Sequence, residues 1–416
     1  MKTQWEERSG ATRGPAKDRV GGRRCLRLFA ALVLATGLVP AGFSANAAES
    51  GLTDDTIKIG MFGPLTGPVS IYGYPINNGA IALYEELNAN GGVHGRKIEI
   101  VHEDGGCDPA KTRAAVKKLI HNDQVFMIHG GSCSSAVFAA RDDIVEAGIP
   151  FMVMAATMDR ISAPVVPNIF TTTMPASRDG ATMFTFVKSI PDVKKIAIVK
   201  HEDEWADSKS KAIFEGLEGS GIELVANESI ERKAADATSQ VLRVQQAEPD
   251  ATLIVAYPGE TAVFLRDALK YGLTGPFVAT TSVMDMHDLA NRAGSAEAVR
   301  DVYAVSFLKG AVGSDHLKEY EEIYARHFPD DKIQALSFYA MSGAKAVIQA
   351  LQAAGPELTR DKLIAALEAI DGGDAASAYC EIRFSTDSHQ ACLDGTMWTL
   401  HDGEIVSVGP TWRELD

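Results

Sequence analysis

The chain has 416 residues, a formal net charge of −15 at pH 7 and 46% hydrophobic residues. This length is enough for two domains with full cores. The excess of acidic side chains argues against a nucleic-acid partner and against binding to anionic lipid by charge. Beyond residue 47, no apolar run is long enough to cross a bilayer.

The N-terminal segment has the layout of a secretory signal peptide. Basic side chains precede an apolar run at 28–39, and the small residues Ala45 and Ala47 follow at the two positions that a signal peptidase reads. The apolar run is too short to span a membrane stably. Residues 1–47 are therefore predicted to be a signal peptide, and the mature protein is expected to work outside the cytoplasm.

Short apolar runs that predict strands alternate with helical patterns along the mature sequence. In the first half, strands are predicted at 56–62, 97–103, 125–128 and 150–154, with helices at 76–90, after Asp108-Pro109 and at 134–147. In the second half, strands are predicted at 195–200, 222–227 and 251–257, with helices at 205–219, 238–247 and 260–271. Helical patterns at 313–327, 336–354 and 359–370 follow as additions to both domains. This alternation predicts an α/β fold with two domains, each a parallel sheet covered by helices on both faces.

Four cysteines follow the signal peptide, at positions 107, 133, 380 and 392. An even number in an oxidising compartment predicts two disulfides. A local bridge between Cys380 and Cys392 is plausible because they are twelve positions apart, and Cys107 would then pair with Cys133. A zinc site is the alternative, although no two of these cysteines form a C-x-x-C pair.

Two loops that follow neighbouring predicted strands are rich in small residues and hydroxyls. The first runs from His129 to Ser135 and leads directly into a helix, and the second is Ala155-Ala156-Thr157. Ligands of open parallel sheets bind beyond the carboxyl ends of the strands, where loops and helix N-termini meet. Exposed N–H groups and hydroxyls at that edge suit a carboxylate. Helix capping by Ser132 or Ser134 is the alternative for the first loop.

Three aromatic residues follow predicted strands: Tyr72, Trp205 and Tyr257. Together they predict the wall of a small-molecule pocket, although each by itself could pack between a loop and a helix. The acidic run Glu202-Asp203-Glu204 beside Trp205 is either a solvated loop or a partner for a ligand ammonium.

No recognisable catalytic motif occurs in the sequence. Ser134 does not lie in G-x-S-x-G, and no motif places a histidine to activate it. The histidines lack metal-ligand spacing, and neither G-x-G-x-x-G nor a Walker loop is present. The chain is therefore predicted not to be an enzyme and to use neither a cofactor nor a metal.

Short motifs follow one another in a characteristic order along the mature chain. They are Ile57-Lys58-Ile59-Gly60, residues 63–68, Tyr72-Gly73, residues 88–95 and 104–109, Cys133-Ser134-Ser135, Ala155-Ala156-Thr157, residues 258–260 and Leu265-Arg266. In this order they resemble the periplasmic binding proteins of the leucine/isoleucine/valine-binding type, which deliver ligands to ABC importers. The resemblance covers essentially the whole mature chain.

The resemblance implies two Rossmann-like lobes with parallel sheets, joined by three hinge crossings near Pro175, Ser306 and Ala378. The expected lobes are residues 48–174 with 306–377, and residues 175–305 with 378–416. Ligand binding would close the cleft between them. The implied partners are a small molecule with a carboxylate and the permease subunits of an ABC importer, and the protein is expected to be a monomer.

Ligand-binding roles also follow from the resemblance. The α-carboxylate of the ligand would be bound by Ser134, Thr157 and the backbone of Ala155. The cleft would be lined by aromatic and small residues, namely Tyr72, Trp205, Tyr257, Cys133 and Ala156. The family's disulfide would join Cys107 to Cys133, in agreement with the pairing above.

One position departs from the amino-acid binders of the family. They place a glutamate after the strand at 277–279, where it pairs with the ligand ammonium, and this chain has Thr281 there. Burying an ammonium without a counter-charge is costly. Either Asp203, Glu204 or Asp285 takes over, or the ligand has no ammonium.

The favoured ligand is a branched-chain or aliphatic amino acid, because such ligands are frequent in the family. The first alternative is a carboxylate without an amine, such as an aromatic acid. The second is a sensor role, in which the same fold presents its ligand to a membrane receptor instead of a permease.

Overall fold

A computed structural model describes residues 49–67, 69–391 and 395–412. The predicted signal peptide lies outside the described residues, and so does Cys392 with the second predicted disulfide. The described chain forms two lobes, each built on a sheet of mainly parallel strands, which confirms the predicted α/β class. In this part of the chain, no helix is both long enough and apolar enough to cross a membrane.

The first lobe is built on a five-stranded parallel sheet with the order β2-β1-β3-β4-β5. Its elements are β1 (Thr56–Gly63), α1 (Ser70–Ala89), β2 (Lys97–Asp104), α2 (Pro109–His121), β3 (Met127–Gly130), α3 (Ser134–Glu146), β4 (Phe151–Val153) and β5 (Ile169–Thr171). Every residue of β3 and β4 is buried, as expected for strands covered on both faces. Since all five strands run the same way, the loops that leave their carboxyl ends meet at one edge.

The second lobe is built on a seven-stranded sheet with the order β14-β13-β10-β9-β8-β6-β7. Its first elements are α4 (Ala176–Ser189), β6 (Lys195–Lys200), α5 (Glu204–Leu217), β7 (Glu223–Ser229), α6 (Thr238–Ala247), β8 (Ala251–Val255), α7 (Pro258–Tyr271), β9 (Phe277–Ala279), α8 (Met286–Ala293) and β10 (Val302–Ser306). The five strands from β6 to β10 are parallel.

The last part of the chain adds helices to the first lobe and an antiparallel hairpin to the second. Its elements are α9 (Lys318–His327), α10 (Ser337–Ala354), α11 (Arg360–Glu368), β11 (Asp371–Gly373), β12 (Ile382–Arg383), β13 (Gly395–His401) and β14 (Glu404–Trp412). Helices α9 and α10 pack on α1, and β13 pairs antiparallel with β10. The hairpin turns at Asp402 and Gly403, whose φ angles of 50° and 84° are those of a type I′ turn. This hairpin is not among the sequence-based expectations, although Asp-Gly is a strong hairpin signal.

Helix α1 begins earlier than the sequence pattern predicts. It starts at Ser70 and contains Pro75, whereas the predicted helix starts at residue 76. Proline inside a helical pattern indicates a boundary, because it lacks a backbone N–H. The earlier start places Tyr72 in the first turn of α1 instead of in a loop.

Segments that connect the lobes lie close together. The N–H of Tyr379 donates to the carbonyl of Phe307 at 2.6 Å. Farther along the chain, Gln390 forms a bridge with Thr171 at the end of β5, and the chain then enters β13 of the second lobe. The lobe boundaries derived from the resemblance stay a prediction.

Candidate functional site

A cavity of about 420 Å³ lies between the two lobes, at the edge where the loops after the parallel strands meet. This volume is in the range of small-molecule sites. Most residues of the predicted ligand-binding set line the cavity: Tyr72, Cys133, Ser134, Ala155, Thr157, Trp205, Tyr257 and Thr281. Ala156 is not among the lining residues and packs in the hydrophobic core of the first lobe.

The wall from the first lobe presents hydrogen-bond donors. The Oγ of Ser134 accepts from the N–H groups of Thr157 at 3.1 Å and Met158 at 3.3 Å. Both acceptor positions of this hydroxyl are therefore used, and its O–H is left to donate. The Oγ1 of Thr157 is buried and has no hydrogen-bond partner among the described residues. The Oγ of Ser132 is likewise buried and has no such partner. A ligand group that only accepts hydrogen bonds, such as a carboxylate, fits this wall.

The N-terminus of α3 adds to this donor wall. Cys133 is the N-cap residue and provides no side-chain acceptor to the first turn. First-turn N–H groups have no acceptor within their own helix, and the helix dipole makes this end positive. Ser134, Ser135 and Ala136 of this turn all line the cavity.

The backbone of Ala155 is engaged within the first lobe. Its N–H donates to the carbonyl of Gly131 at 3.0 Å. A carboxylate needs donors, and this N–H is already used. The hydroxyls of Ser134 and Thr157 are therefore better placed than Ala155 to bind a carboxylate.

A disulfide between Cys107 and Cys133 confirms the predicted pairing. It joins the loop after β2 to the N-cap residue of α3, with 5.5 Å between the two Cα atoms. Both cysteines line the cavity. The bridge thus holds the start of α3 at the site.

Aromatic rings from both lobes meet across the cavity. The ring centroids of Trp205 and Tyr257 are 4.5 Å apart, and those of Tyr72 and Tyr257 are 6.5 Å apart. Burial raises the pKa of Tyr257 to about 12, so its phenol is neutral at pH 7. The three aromatic residues thus form the apolar part of the cavity, as the sequence predicts.

Tyr257 is positioned by a buried histidine. The Nε2 of His201 accepts from the N–H of Tyr257 at 3.1 Å, while its Nδ1 donates to the carbonyl of Ile230 at 2.8 Å. Burial lowers the pKa of His201, which favours the neutral ring that this pair of bonds requires.

Beside Thr281 lies a buried ion pair that the sequence did not indicate. The N–H and Oγ1 of Thr281 donate to Oδ2 of Asp179 at 3.2 and 2.7 Å. The ammonium of Lys209 bonds to the same carboxylate oxygen, and the side chains of Lys209 and Asp179 are 1% and 0% exposed. Lys209 lines the cavity, and its Nζ lies 5.2 Å from the centre of the Trp205 ring.

Close packing of α4 and α5 brings this pair together. A Cβ on Gly180 would lie 2.0 Å from the carbonyl oxygen of Lys209, so only glycine permits the approach. Asp179 precedes Gly180 on α4, and Lys209 is on α5. An ammonium of the protein itself therefore occupies the place beside Thr281.

Arg232 and Lys233 also line the cavity from the second lobe. The guanidinium of Arg232 lies 3.9 Å over the Tyr257 ring, and its Nε and Nη2 both bond to Oδ2 of Asp203. Lys233 has a left-handed backbone with φ 65°, and its N–H donates to Glu260. No motif in the sequence indicates that Arg232 or Lys233 belongs to the site.

The three acidic residues considered as partners for a ligand ammonium are engaged elsewhere. Asp203 caps α5 and pairs with Arg232. Burial raises the pKa of Asp203, but hydrogen bonds from the N–H of Ala206 and from Arg232 outweigh it, and the net pKa lies below its usual value. Glu204 pairs with Arg160 at 3.3 Å, and Asp285 caps α8.

Among the described residues, metal-binding side chains do not form a cluster. Within residues 49–67, 69–391 and 395–412, no group of three or more His, Cys, Asp or Glu side chains is arranged to hold a metal ion. The cavity is lined by hydroxyls, aromatic rings and basic side chains.

Comparison with known proteins adds a family match. The periplasmic binding protein family matches residues 56–403. The Leu/Ile/Val-binding protein of Escherichia coli strain K12 is 30% identical over 263 residues, which cover 63% of this chain and 70% of that protein. The Leu/Ile/Val-binding protein homolog 7 of Brucella abortus strain 2308 is 27% identical over 369 residues, which cover 85% of this chain and 91% of that protein.

A solved structure has a similar fold. The fatty acid ABC transporter substrate-binding protein from Thermomonospora curvata is 25% identical and has a TM-score of 0.76. The match covers 88% of this chain and 94% of that one.

Proposed function

The chain belongs to the periplasmic binding protein family, and on that premise we propose that it captures a small carboxylate-bearing molecule between its two lobes and delivers it to an ABC importer. Family members are substrate-binding proteins and not enzymes, in agreement with the sequence-based prediction. Export through the predicted signal peptide would place the protein in the periplasm. A sensor role for a membrane receptor would use the same site.

The carboxylate is assigned to the wall of the first lobe. The observation that carries this assignment is the set of unpaired donors at Ser134, Thr157 and the first turn of α3. Buried donors without partners destabilise the unliganded site, and an anionic acceptor compensates them with charge-assisted hydrogen bonds. The aromatic rings from both lobes would cover the rest of the ligand and exclude water.

Closure of the lobes is supported by contacts between them beside the cavity. Arg160 of the first lobe pairs with Glu204 of the second. The Oγ of Ser208 on α5 donates to Asp159 of the first lobe at 3.1 Å. A ligand that contacts both lobes would add to these contacts and shift the equilibrium towards the closed form.

A carboxylate without an amine is the ligand class that the site favours. The family resemblance implies that amino-acid binders have an acidic side chain at the position of Thr281, where it pairs with the ligand ammonium. Here Lys209 supplies an ammonium beside Thr281, and Asp179 is already bonded to it. A ligand ammonium would meet a like charge and no free carboxylate, which is costly in a buried site.

The names of similar proteins include both amino acids and carboxylic acids without an amine as ligands. The protein from E. coli is named for leucine, isoleucine and valine, and the protein from T. curvata is named for fatty acids. Branched-chain amino acids stay the alternative derived from the family. The ion pair of Lys209 with Asp179 is the observation that favours the acids without an amine.

Calorimetric titration would test this proposal on mature protein that has been unfolded and refolded to remove carried-over ligand. Leucine is compared with 4-methylpentanoate, its analogue without the amine, and with benzoate and other carboxylic acids. We expect the acids without an amine to bind and leucine to bind weakly or not at all. If leucine binds and 4-methylpentanoate does not, the site is assigned to amino acids. If none of the carboxylates binds, the proposal is rejected.

A variant pair locates the carboxylate site. Ser134→Ala removes one donor to the carboxylate, and we expect roughly a tenfold loss of affinity or more, since a hydrogen bond to a charged group contributes about 1.5–3 kcal/mol. Ser220→Ala is the control, because that hydroxyl bonds to the carbonyl of Leu217 outside the cavity. Equal affinities of the two variants would place the carboxylate elsewhere.

A further inference from the structure

The cavity wall from the second lobe is basic. Three basic side chains line the cavity, Lys209, Arg232 and Lys233, and no acidic side chain of the described residues does so. This is notable in a chain whose formal net charge is −15. The acidic partners Asp179 and Asp203 pair with Lys209 and Arg232, and neither aspartate is among the residues that line the cavity.

These basic groups are only partly compensated. Lys209 is neutralised by Asp179, with which it forms a buried pair. Arg232 uses Nε and Nη2 for Asp203, so its Nη1 has no hydrogen-bond partner within the described part of the chain. The ammonium of Lys233 likewise has no ion pair among those residues. The carboxylate of Glu260 accepts from the backbone N–H of Lys233 and not from its ammonium. The wall therefore retains unused donors.

The opposite wall already accounts for one carboxylate. Under the proposed function, that carboxylate lies against Ser134 and Thr157 of the first lobe. The basic wall is on the other lobe, and the rings of Tyr72, Trp205 and Tyr257 lie in the same cavity. The cavity thus has a donor wall on one lobe, a basic wall on the other and an apolar surface of rings.

We propose that the ligand is a dicarboxylate whose second carboxylate is held by Arg232 and Lys233, so that one molecule bridges both lobes. This inference rests on the proposed function and specifies its ligand class. An arginine that stacks on an aromatic ring presents its N–H groups in a fixed plane, which suits a carboxylate. An apolar spacer between the two carboxylates would pack on the rings. The bridge would also explain how the ligand favours closure, because each carboxylate binds a different lobe.

A structural role for Arg232 is the competing interpretation. In that case its ion pair with Asp203 and its contact with Tyr257 only hold the loop in place. A ligand with one carboxylate would then bind as tightly as a matched ligand with two. The two interpretations therefore differ in a measurable ratio of affinities.

The test uses pairs of ligands with the same shape and different charge. Terephthalate is compared with 4-carbamoylbenzoate, and adipate with adipamate, in which one carboxylate of each molecule becomes a neutral amide. Calorimetry on refolded mature protein gives the dissociation constants. We expect the dicarboxylate of at least one pair to bind roughly 10- to 100-fold more tightly than its amide, as hydrogen bonds to a charged group imply.

A double variant identifies the residue responsible. Arg232→Gln by itself would leave the Asp203 carboxylate unpaired near the site, so Arg232→Gln is combined with Asp203→Asn, which retains a good N-cap residue for α5. The pair Arg243→Gln with Glu228→Gln is the matched control, because this surface ion pair lies in the same lobe and neither residue lines the cavity. We expect the Arg232 and Asp203 double variant to lose the preference for the dicarboxylate and to bind the amides as the parent does.

Failure of this inference is distinguishable from failure of the proposed function. Equal affinities of dicarboxylates and their amides for the parent protein would overturn the second carboxylate site and leave the proposed function in place. An unchanged preference in the Arg232 and Asp203 double variant would overturn the role of Arg232. Binding of none of the acids would reject the proposed function and this inference together.

Discussion

Replacing Lys209 with methionine is expected to destabilise the second lobe strongly. Among the described residues, Lys209 is the cation paired with Asp179, and both side chains are buried from solvent. Methionine keeps much of the hydrocarbon chain, but it leaves the Asp179 carboxylate with only the donors of Thr281. Removing one partner of a buried ion pair lowers the free energy of unfolding by about 3–5 kcal/mol. Because the bonds from Thr281 remain, we expect a loss near the lower end, about 3 kcal/mol.

Urea unfolding followed by tryptophan fluorescence measures this loss. Trp205 is a suitable reporter, because its ring lies 5.2 Å from the Nζ of Lys209. Lys211→Met is the control on the same helix. Lys211 pairs with Glu215 at 3.6 Å with both side chains more than half exposed, and such a pair contributes less than about 1 kcal/mol.

A second variant tests the cause of the loss. In Lys209→Met combined with Asp179→Asn, the amide oxygen still accepts from Thr281 but no charge is buried. We expect this double variant to recover most of the lost stability. The reasoning is wrong if Lys209→Met costs no more than Lys211→Met, or if the double variant is as unstable as the single one.

Two further predictions concern backbone packing and pH. Gly180→Ala is expected to cost about 1–3 kcal/mol in urea unfolding, because its Cβ would lie 2.0 Å from the carbonyl oxygen of Lys209; unchanged stability would contradict the close approach. Burial lowers the pKa of His129 to about 3, whereas the pKa of a histidine in the unfolded chain is about 6.5. Between these two pH values, the unfolded state therefore binds a proton that the native state does not. The contribution of neutral His129 to the free energy of unfolding is therefore complete above about pH 6.5. This contribution is lost as the pH falls towards 3, by up to about 1.4 kcal/mol per pH unit. His129→Gln should reduce the loss of stability between pH 7 and pH 5, whereas exposed His287→Gln should leave it unchanged, and equal losses in both variants would refute the assignment.

Local patterns in the sequence predict most of the elements around the site. The strand at Lys195–Lys200 and the helix at Thr238–Ala247 have the predicted bounds. The side chain of Asp108 accepts from the N–H of Lys111, and Pro109 opens α2, as the predicted cap requires. These features depend on residues close in sequence, whose periodicity and capping chemistry are visible without the fold.

Two differences from the sequence-based predictions arise from packing and pairing between distant parts of the chain. The start of α1 is displaced because Pro75 indicates a helix boundary, while the packing of α9 and α10 on α1 supports a longer helix. The hairpin of β13 and β14 joins the second sheet through antiparallel pairing with β10. Pairing between strands so distant in sequence is decided by the fold, although the turn at Asp402 and Gly403 has a sequence signal.

Local sequence patterns are enough to predict that the loops with Ser134 and Thr157 meet at one edge, because parallel strands in βα units direct their carboxyl ends to the same side. The charges on the opposite wall depend instead on packing between segments that are distant in sequence. Thr281 bonds to Asp179 across 102 positions of sequence, and Lys209 completes the pair through the close packing of α4 and α5. Sequence periodicity distinguishes the buried face of a helix from its exposed face. It carries no information about which charged side chain of one helix contacts which charged side chain of another. The proposed class of ligand depends on that contact between Lys209 and Asp179.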